Sequence, residues 1–288
     1  MNASPERTLM AANSAASLAV RRAAPQTVGR KLIPDHVVLS LGTLVVFLSI
    51  WEIATRVGWV NSLLLASPSA IAASAWSLFV VKGDIWHHLW VSAQELLLGF
   101  VCAVIVGIPA GVLMGRNRLI RQAIEPYVMA LYSTPQVALF PLLILLLGFT
   151  VQSKAALVFL GAVFPIVINT TAGVIGTDPR MLEMARSFTA TEGAIFRKVI
   201  LPGALPTIST GLRLAVGRAL IMVFVAELVS STEGVGYVIT RAGATFDTPR
   251  LFAGVLVFTI VGVLLGWGTQ VLERRLLPWL HIRDEVAG

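Results

Sequence analysis

Five polar side chains of this 288-residue chain lie inside long apolar runs: Glu95, Asn169, Arg213, Arg218 and Glu227. At hydrocarbon depth a charged group is expensive, so each must pair, cap a broken helix or face a polar cargo. Arg213 lies about 8 Å from the start of its run at 1.5 Å per residue, within snorkelling reach of headgroups. Arg218 is about one and a half turns deeper. Three roles are open to it: pairing with a carboxylate on another helix, capping carbonyls freed at a kink, or facing an anion on its path. Charges in spans more often pair within the bundle. Asn169, beside Thr170 and Thr171, fits interhelical hydrogen bonding better than a binding site. Ser92-Ala93-Gln94-Glu95 has the form of a capping box, which assigns Glu95 to the start of a helix.

Groups for bond-making chemistry are missing. None of Lys31, Lys82, Lys154 and Lys198 follows a glycine, so there is no G-K-[ST] phosphate loop and no Walker-type ATP site. His87 and His88 are adjacent, and on a helix they would point about 100° apart, which makes a poor metal site. Neither H-E-x-x-H nor G-x-S-x-G occurs, so a membrane-bound hydrolase has no candidate residues. The G-x-G of Glu233-Gly234-Val235-Gly236-Tyr237 follows no strand and reads as a turn, whose outer-face position suggests contact with a partner or a short re-entrant cap. A single cysteine, Cys102, excludes an intrachain disulfide framework.

The elements that must position these groups are membrane spans. Only 13% of residues are charged and 56% are hydrophobic, against about 25% charge in an ordinary soluble domain. Six runs are long enough to cross about 30 Å of hydrocarbon as helices: 37–55, 93–114, 126–148, 155–176, 208–229 and 251–272. Pro109, Pro135, Pro141 and Pro165 fall within them and predict kinks. Residues 1–36 and 281–288 read as tails flanking a single transmembrane domain, 37–280. The net charge of +7 first admits a nucleic-acid binder, but the basic residues lie between apolar runs rather than in one patch. With six spans, 15 basic residues fall on one side and 5 on the other, which places both termini in the cytoplasm. Residues 68–81 are too short to cross, and inserting them would invert that bias. They are expected to form an outer-face interfacial helix with Ser67 as N-cap, followed by Trp86 and Trp90 as belt residues.

The cytoplasmic connection 177–207 does not read as a plain loop. Asp178-Pro179 opens a helix with Met181, Met184, Ala185 and Phe188 on one side. Thr189-Ala190-Thr191-Glu192 is a capping box opening a second helix, striped by Ile195, Phe196 and Val199. Leu201-Pro202-Gly203 and Pro206 should stop it ahead of the fifth span. A docking surface and a hairpin lying on headgroups fit this pattern equally.

Glu183-Met184-Ala185-Arg186-Ser187-Phe188-Thr189, followed by Phe196-Arg197-Lys198-Val199-Ile200-Leu201-Pro202-Gly203-Ala204-Leu205-Pro206, resembles the EAA loop of ABC-importer permeases. The likeness extends over about 60–280, including Leu65-Ala66-Ser67-Pro68-Ser69 and Gly211-Leu212-Arg213-Leu214-Ala215. It is similar to the nitrate, taurine, alkanesulfonate and bicarbonate branch. The resemblance implies an all-α polytopic bundle of the type I importer kind. It further implies a homodimer, two ATPase subunits carrying ATP and Mg, and an extracytoplasmic binding protein, in a bacterial inner membrane. This chain would bind no cofactor and no nucleic acid, and its annular partner would be lipid. Glu183, Met184, Ala185, Arg186, Thr189, Leu201 and Pro202 would couple to the ATPase within 178–202. Arg218, Asn169 and Glu227 are the candidates for the path of a small anion. Related permeases also move neutral or cationic pyrimidine precursors. Two positions differ from the family: Met184 stands for Ala and Thr189 for Gly. As an N-cap, Thr189 is expected to take ordinary β-region dihedrals and open the hairpin at a different angle. The competing reading is an ATP-independent secondary transporter or channel, against which stand the absence of a clear repeat of the halves and of an intramembrane acid chain. A non-transporting scaffold would explain apolar bulk but not a structured inside loop.

Overall fold

The computed structural model describes residues 35–230 and 232–276, and all regular structure among them is helical. The tails assigned to 1–36 and 281–288 lie outside the described residues, except that 35 and 36 open the first helix. The chain divides into two compact units, 1–50 and 51–288. The described part of the first is helical, with Leu39, Leu44, Val45 and Ile50 exposed. In chain order the helices are α1 (Asp35–Arg56), α2 (Pro68–Trp76, continued by a wide turn Ser77–Val81), α3 (Ile85–Arg116) and α4 (Arg118–Ser133). A tight turn, Gln136–Leu139, leads into α5 (Phe140–Leu147), followed by α6 (Val151–Ile175), α7 (Pro179–Ser187) and α8 (Glu192–Ile195). A second wide turn, Phe196–Ile200, joins α8 to α9 (Leu201–Ser230), and α10 (Val235–Ala244) and α11 (Thr248–Leu276) complete the order. By length and apolarity α1, α3, α6 and α11 suffice to cross a bilayer, and the bent pair α4–α5 has the composition of either a broken fifth span or a re-entrant loop. α9 has 30 residues but is interrupted by Arg213, Arg218 and Glu227.

α6 is the centre of the second unit, with Leu157, Val158, Ala162 and Ile166 all at 0% exposure. α3 runs parallel to it in strict register. Gly99, Ala103, Gly107, Gly111 and Gly115 recur every fourth residue and face Val158, Ala162, Ile166, Thr170 and Val174. A Cβ at Gly107 would lie 2.8 Å from Ile166 Cγ2, and one at Gly111 would lie 2.5 Å from Thr170 Cβ. Only glycine lets the backbones approach this far, which is how helices gain packing contacts where the solvent itself is apolar. α9 runs antiparallel along another side of α6, with Gly161 against Met222, Gly173 against Ala204 and Gly211 against Asn169. A separate apolar cluster joins Ile71 and Leu78 to Val235, Val238, Ala253 and Val257.

Several boundaries differ from the sequence expectation. α3 begins at Ile85 rather than 93, so Ser92 and Glu95 sit inside it and form no capping box. Lys154, expected in a loop, lies in the first turn of α6 and is 6% exposed. The run 126–148 is not one kinked helix: α4 stops at Ser133, and the chain turns by 88° before α5. Pro135 has no N–H to continue the helix and disfavours the α region at Thr134 (φ −72°, ψ 139°). Leu201-Pro202-Gly203 and Pro206 do not end a helix either. The wide turn Phe196–Ile200 shifts the register, with the Leu201 N–H donating to the Phe196 carbonyl, and the helix continues through both prolines. Residues 68–81 behave as expected of a helix started by Ser67, whose Oγ accepts from the Ala70 N–H at 3.3 Å.

Candidate functional site: coupling hairpin and intramembrane polar groups

The hairpin α7–α8 is built by local capping. Asp178 accepts from the Arg180 N–H at 2.9 Å, and Pro179 occupies the first helical position, where its missing N–H costs nothing. At the other end Thr189 adopts φ 56°. The Thr189 N–H donates to Arg186 O at 2.9 Å and the Ala190 N–H to Ala185 O at 3.2 Å, the paired bonds of a Schellman stop. Thr189 therefore takes the left-handed conformation, contrary to the expected N-cap. The cap of α8 is Thr191, whose Oγ1 accepts from the Ala194 N–H at 3.4 Å. The requirement for a left-handed residue comes from closing α7 within two residues of the next cap, and it holds whether or not the side chain is β-branched. Replacing Thr189 by Gly should stabilise the chain by about 1–2 kcal/mol, the cost of holding a side chain in this region. Denaturant titration of the purified protein checks this, and an unchanged or lowered midpoint would contradict it.

No residue of α7 is buried. Met181, Met184 and Phe188 are 53%, 54% and 78% exposed, and together with half-buried Ala185 they make an apolar stripe on a hairpin otherwise carrying Glu183, Arg186, Arg197 and Lys198. Arg186 and Glu192 bridge the two helices at 3.7 Å. Ile195 is the anchor at 1% exposure, while Arg116 at the end of α3 lies over the Phe196 ring at 4.8 Å. Leu201 and Pro202, both half-buried, begin α9, so the hairpin and α9 are mechanically continuous.

At the opposite end of α6 and α9 lies a buried polar cluster that sequence reasoning missed. Lys154 Nζ donates to Glu95 Oε1 at 2.6 Å, with the carboxylate fully buried. Glu227, 1% exposed, accepts from Ser92 Oγ at 2.5 Å and from the Gly236 N–H at 2.7 Å. The Val235 N–H donates to Ser92 Oγ at 3.1 Å, and the Gly234 N–H to His88 Nδ1 at 3.1 Å. The G-x-G segment is thus a turn only at Gly234, φ 105°, which caps α10; Val235 and Gly236 open that helix, and the amides of all three are tied to α3 and α9. The signal available in advance was the pair Glu95 and Lys154, each near the start of an apolar run.

The remaining membrane residues separate. Arg213 pairs with Glu273 of α11 instead of reaching for headgroups. Asn169 Nδ2 donates to the Pro165 carbonyl at 2.8 Å, within its own helix rather than between helices. Arg218 stacks 4.3 Å above the centre of the Tyr132 ring and lines a cavity of about 380 Å³ at the α4–α5 break. Arg218, Asn169 and Glu227 do not converge on one point: the first is at the break, the second lies against Gly211, and the third is in the buried cluster.

Residues 103–278 match the family described as binding-protein-dependent transport system inner membrane component. A putative aliphatic sulfonates transport permease of Bacillus subtilis (strain 168) is 37% identical over 234 residues, covering 81% of this chain and 84% of that protein. The taurine transport system permease protein of Escherichia coli (strain K12) is 32% identical over 248 residues, 85% of this chain and 90% of its own length. A formylaminopyrimidine transport permease of Halalkalibacterium halodurans is 32% identical over 230 residues, 80% of this chain and 91% of that protein. Among solved structures, a chain of the inward-facing MetNI methionine ABC transporter shares the fold, with a TM-score of 0.56 at 19% identity over 69% of this chain and 97% of that one. A helical bundle with an exposed hairpin continuous with a long helix, matched over more than half its length, belongs to the binding-protein-dependent transport system inner membrane components, the permease subunits of ABC importers.

Proposed function

We propose that this permease imports a small sulfonate, taurine or an alkanesulfonate, across a bacterial inner membrane. The observation that carries the reading is its identity of 37% and 32% to permeases named for aliphatic sulfonates and taurine. The relative named for formylaminopyrimidine sets the competing cargo, a neutral heterocycle. Arg218, a cation without a carboxylate partner among the described residues, favours the anion over the heterocycle. Nitrate and bicarbonate, the other anions of the branch, are smaller members of the same class.

The energy comes from separate ATPase subunits, two copies binding ATP and Mg, while this chain binds no cofactor and no nucleic acid. A second copy of the permease completes a homodimer around the path, an extracytoplasmic binding protein delivers cargo, and lipid surrounds the rest. Both termini face the cytoplasm, with six crossings once α9 is counted and α4–α5 is taken as one. The bias of 15 basic residues to 5 supports this orientation, placing the α7–α8 hairpin inside the cell. There Glu183, Met184, Ala185, Arg186 and Thr189 meet the ATPase, and Leu201 and Pro202 pass its movement to α9. An exposed apolar stripe with charged flanks suits a protein cleft.

The test is co-expression with the ATPase and binding protein, followed by uptake into liposomes. Wild type should accumulate taurine or ethanesulfonate when ATP is supplied, and not a neutral pyrimidine. Met184→Asp with Phe188→Asp, and separately Glu183→Lys, should lower sulfonate-stimulated ATP hydrolysis and uptake at least tenfold. Intact coupling in both variants would remove the hairpin from the ATPase contact. Uptake by the chain alone under an ion gradient would favour a secondary transporter.

A further inference from the structure

Arg218 has lost two of the three roles its sequence position allowed. Among the described residues no carboxylate reaches it, since Glu273 is taken by Arg213, Glu95 by Lys154, and Glu227 by Ser92 and the Gly236 amide. The carbonyls freed where α4 breaks are capped by another group: the Gln136 side-chain amide donates to Leu131 O at 3.2 Å and to Tyr132 O at 3.3 Å. Depth excludes an easy escape to headgroups. At 1.5 Å per residue Arg218 is about 18 Å along α9 from Ser230 and about 15 Å from residue 208, where the apolar run begins, beyond the reach of one side chain. What remains is a guanidinium that stays charged, held over the Tyr132 ring and open to a cavity of about 380 Å³ lined also by Ser133, Thr134 and Gln136. That volume falls within the range of about 300–1,000 Å³ typical of small-molecule sites. The Ser133 hydroxyl is exposed and has no partner among the described residues, so it is a free donor beside the cation.

We propose that this cavity is an intramembrane subsite for the sulfonate group, in which the Arg218 edge donates to two oxygens and the Ser133 hydroxyl to the third. It rests on the reading that the cargo is a sulfonate, and it assigns to the permease itself a share of selectivity. The guanidinium carbon sits 4.3 Å from the centre of the Tyr132 ring, and no hydrogen bond or ion pair among the described residues occupies its N–H groups, which are free for the bidentate contact that planar donors make with oxyanions. The broken helix supplies the room: a continuous α4–α5 would fill it with side chains.

The test uses the assembled complex with its ATPase and binding protein in phosphatidylcholine liposomes, measuring uptake of ethanesulfonate at saturating binding protein. Arg218→Gln should lower maximal uptake at least tenfold. Arg218→Lys, which keeps the charge but loses the fork, should fall in between. A direct measurement keeps Arg218 in place: Tyr132→Trp in the nucleotide-free complex in maltoside micelles should report saturable ethanesulfonate binding. Adding Arg218→Gln to that reporter should weaken the binding at least tenfold. Uptake within twofold of wild type in both Arg218 variants, or a reporter that answers phosphatidylglycerol but not ethanesulfonate, would overturn the subsite. If wild type carries nitrate or bicarbonate instead and Arg218→Gln still abolishes transport, the anion subsite stands while the sulfonate reading falls. If it carries sulfonate and Arg218 is dispensable, the reading stands and the subsite falls.

Discussion

Substituting Lys154 by Met should cost about 3–5 kcal/mol of stability, the penalty for leaving a buried charge without its partner. Glu95 has no exposed surface, its Oε2 already lacks a hydrogen-bond partner, and Glu227 brings a second carboxylate to the same cluster. Lys154 is the only lysine or arginine paired there among the described residues, at 2.6 Å. The double substitution Glu95→Leu with Lys154→Met should recover most of the loss, because an apolar pair of similar volume replaces two charges that must otherwise be desolvated. Denaturant titration in mixed micelles, followed by tryptophan fluorescence, gives the three midpoints. Equal losses in the single and double variants would mean that packing, not charge, governs the site.

The second large effect is expected at Gly111. Leucine there must place its Cβ 2.5 Å from Thr170 Cβ and 2.8 Å from the Val167 carbonyl oxygen, and a backbone oxygen in the middle of α6 cannot move aside. Overpacking a tight core costs about 1–3 kcal/mol where side chains can adjust. Here the helices themselves must part along a stripe running from Gly99 to Gly115, so the loss should exceed that range and show as a failure to accumulate folded protein. Gly266→Ala is the matched control, with nothing within 4 Å of the new methyl, and it should express as wild type. Normal folding of Gly111→Leu would mean that α3 and α6 do not need this approach.

How much of this was legible beforehand depended on whether a feature was local. Asp178-Pro179 and Ser67-Pro68 announced their helices because a cap and its N–H lie within three residues. The two-helix form of 178–195 is readable from its own caps, Asp178 for α7 and a Thr for α8. The cap of α8 and the left-handed stop of α7 exchange places relative to the expectation because two Thr residues compete for one cap: Thr191, two residues further on, accepts from the Ala194 N–H where the Thr189–Glu192 pair is expected. Glu95 was assigned to a helix start because its partner is 59 residues away, and no short window contains both. The break at Thr134-Pro135 could be read as a kink but not as an 88° turn, since the bend depends on Gln136 capping the freed carbonyls. The glycine stripe was visible as a spacing of four, yet its meaning required α6 beside it.

The separation of Glu95 and Lys154 is also an interval of time. Chains grow at about 5–20 residues per second, so the 59 residues between the partners correspond to about 3–12 s in which α3 exists without α6. For that interval the first spans hold a lone acid and a groove of bare glycine backbone. The centre of the bundle therefore forms late: α3 meets the partner of its acid and the face that fills its groove only once α6 has been made.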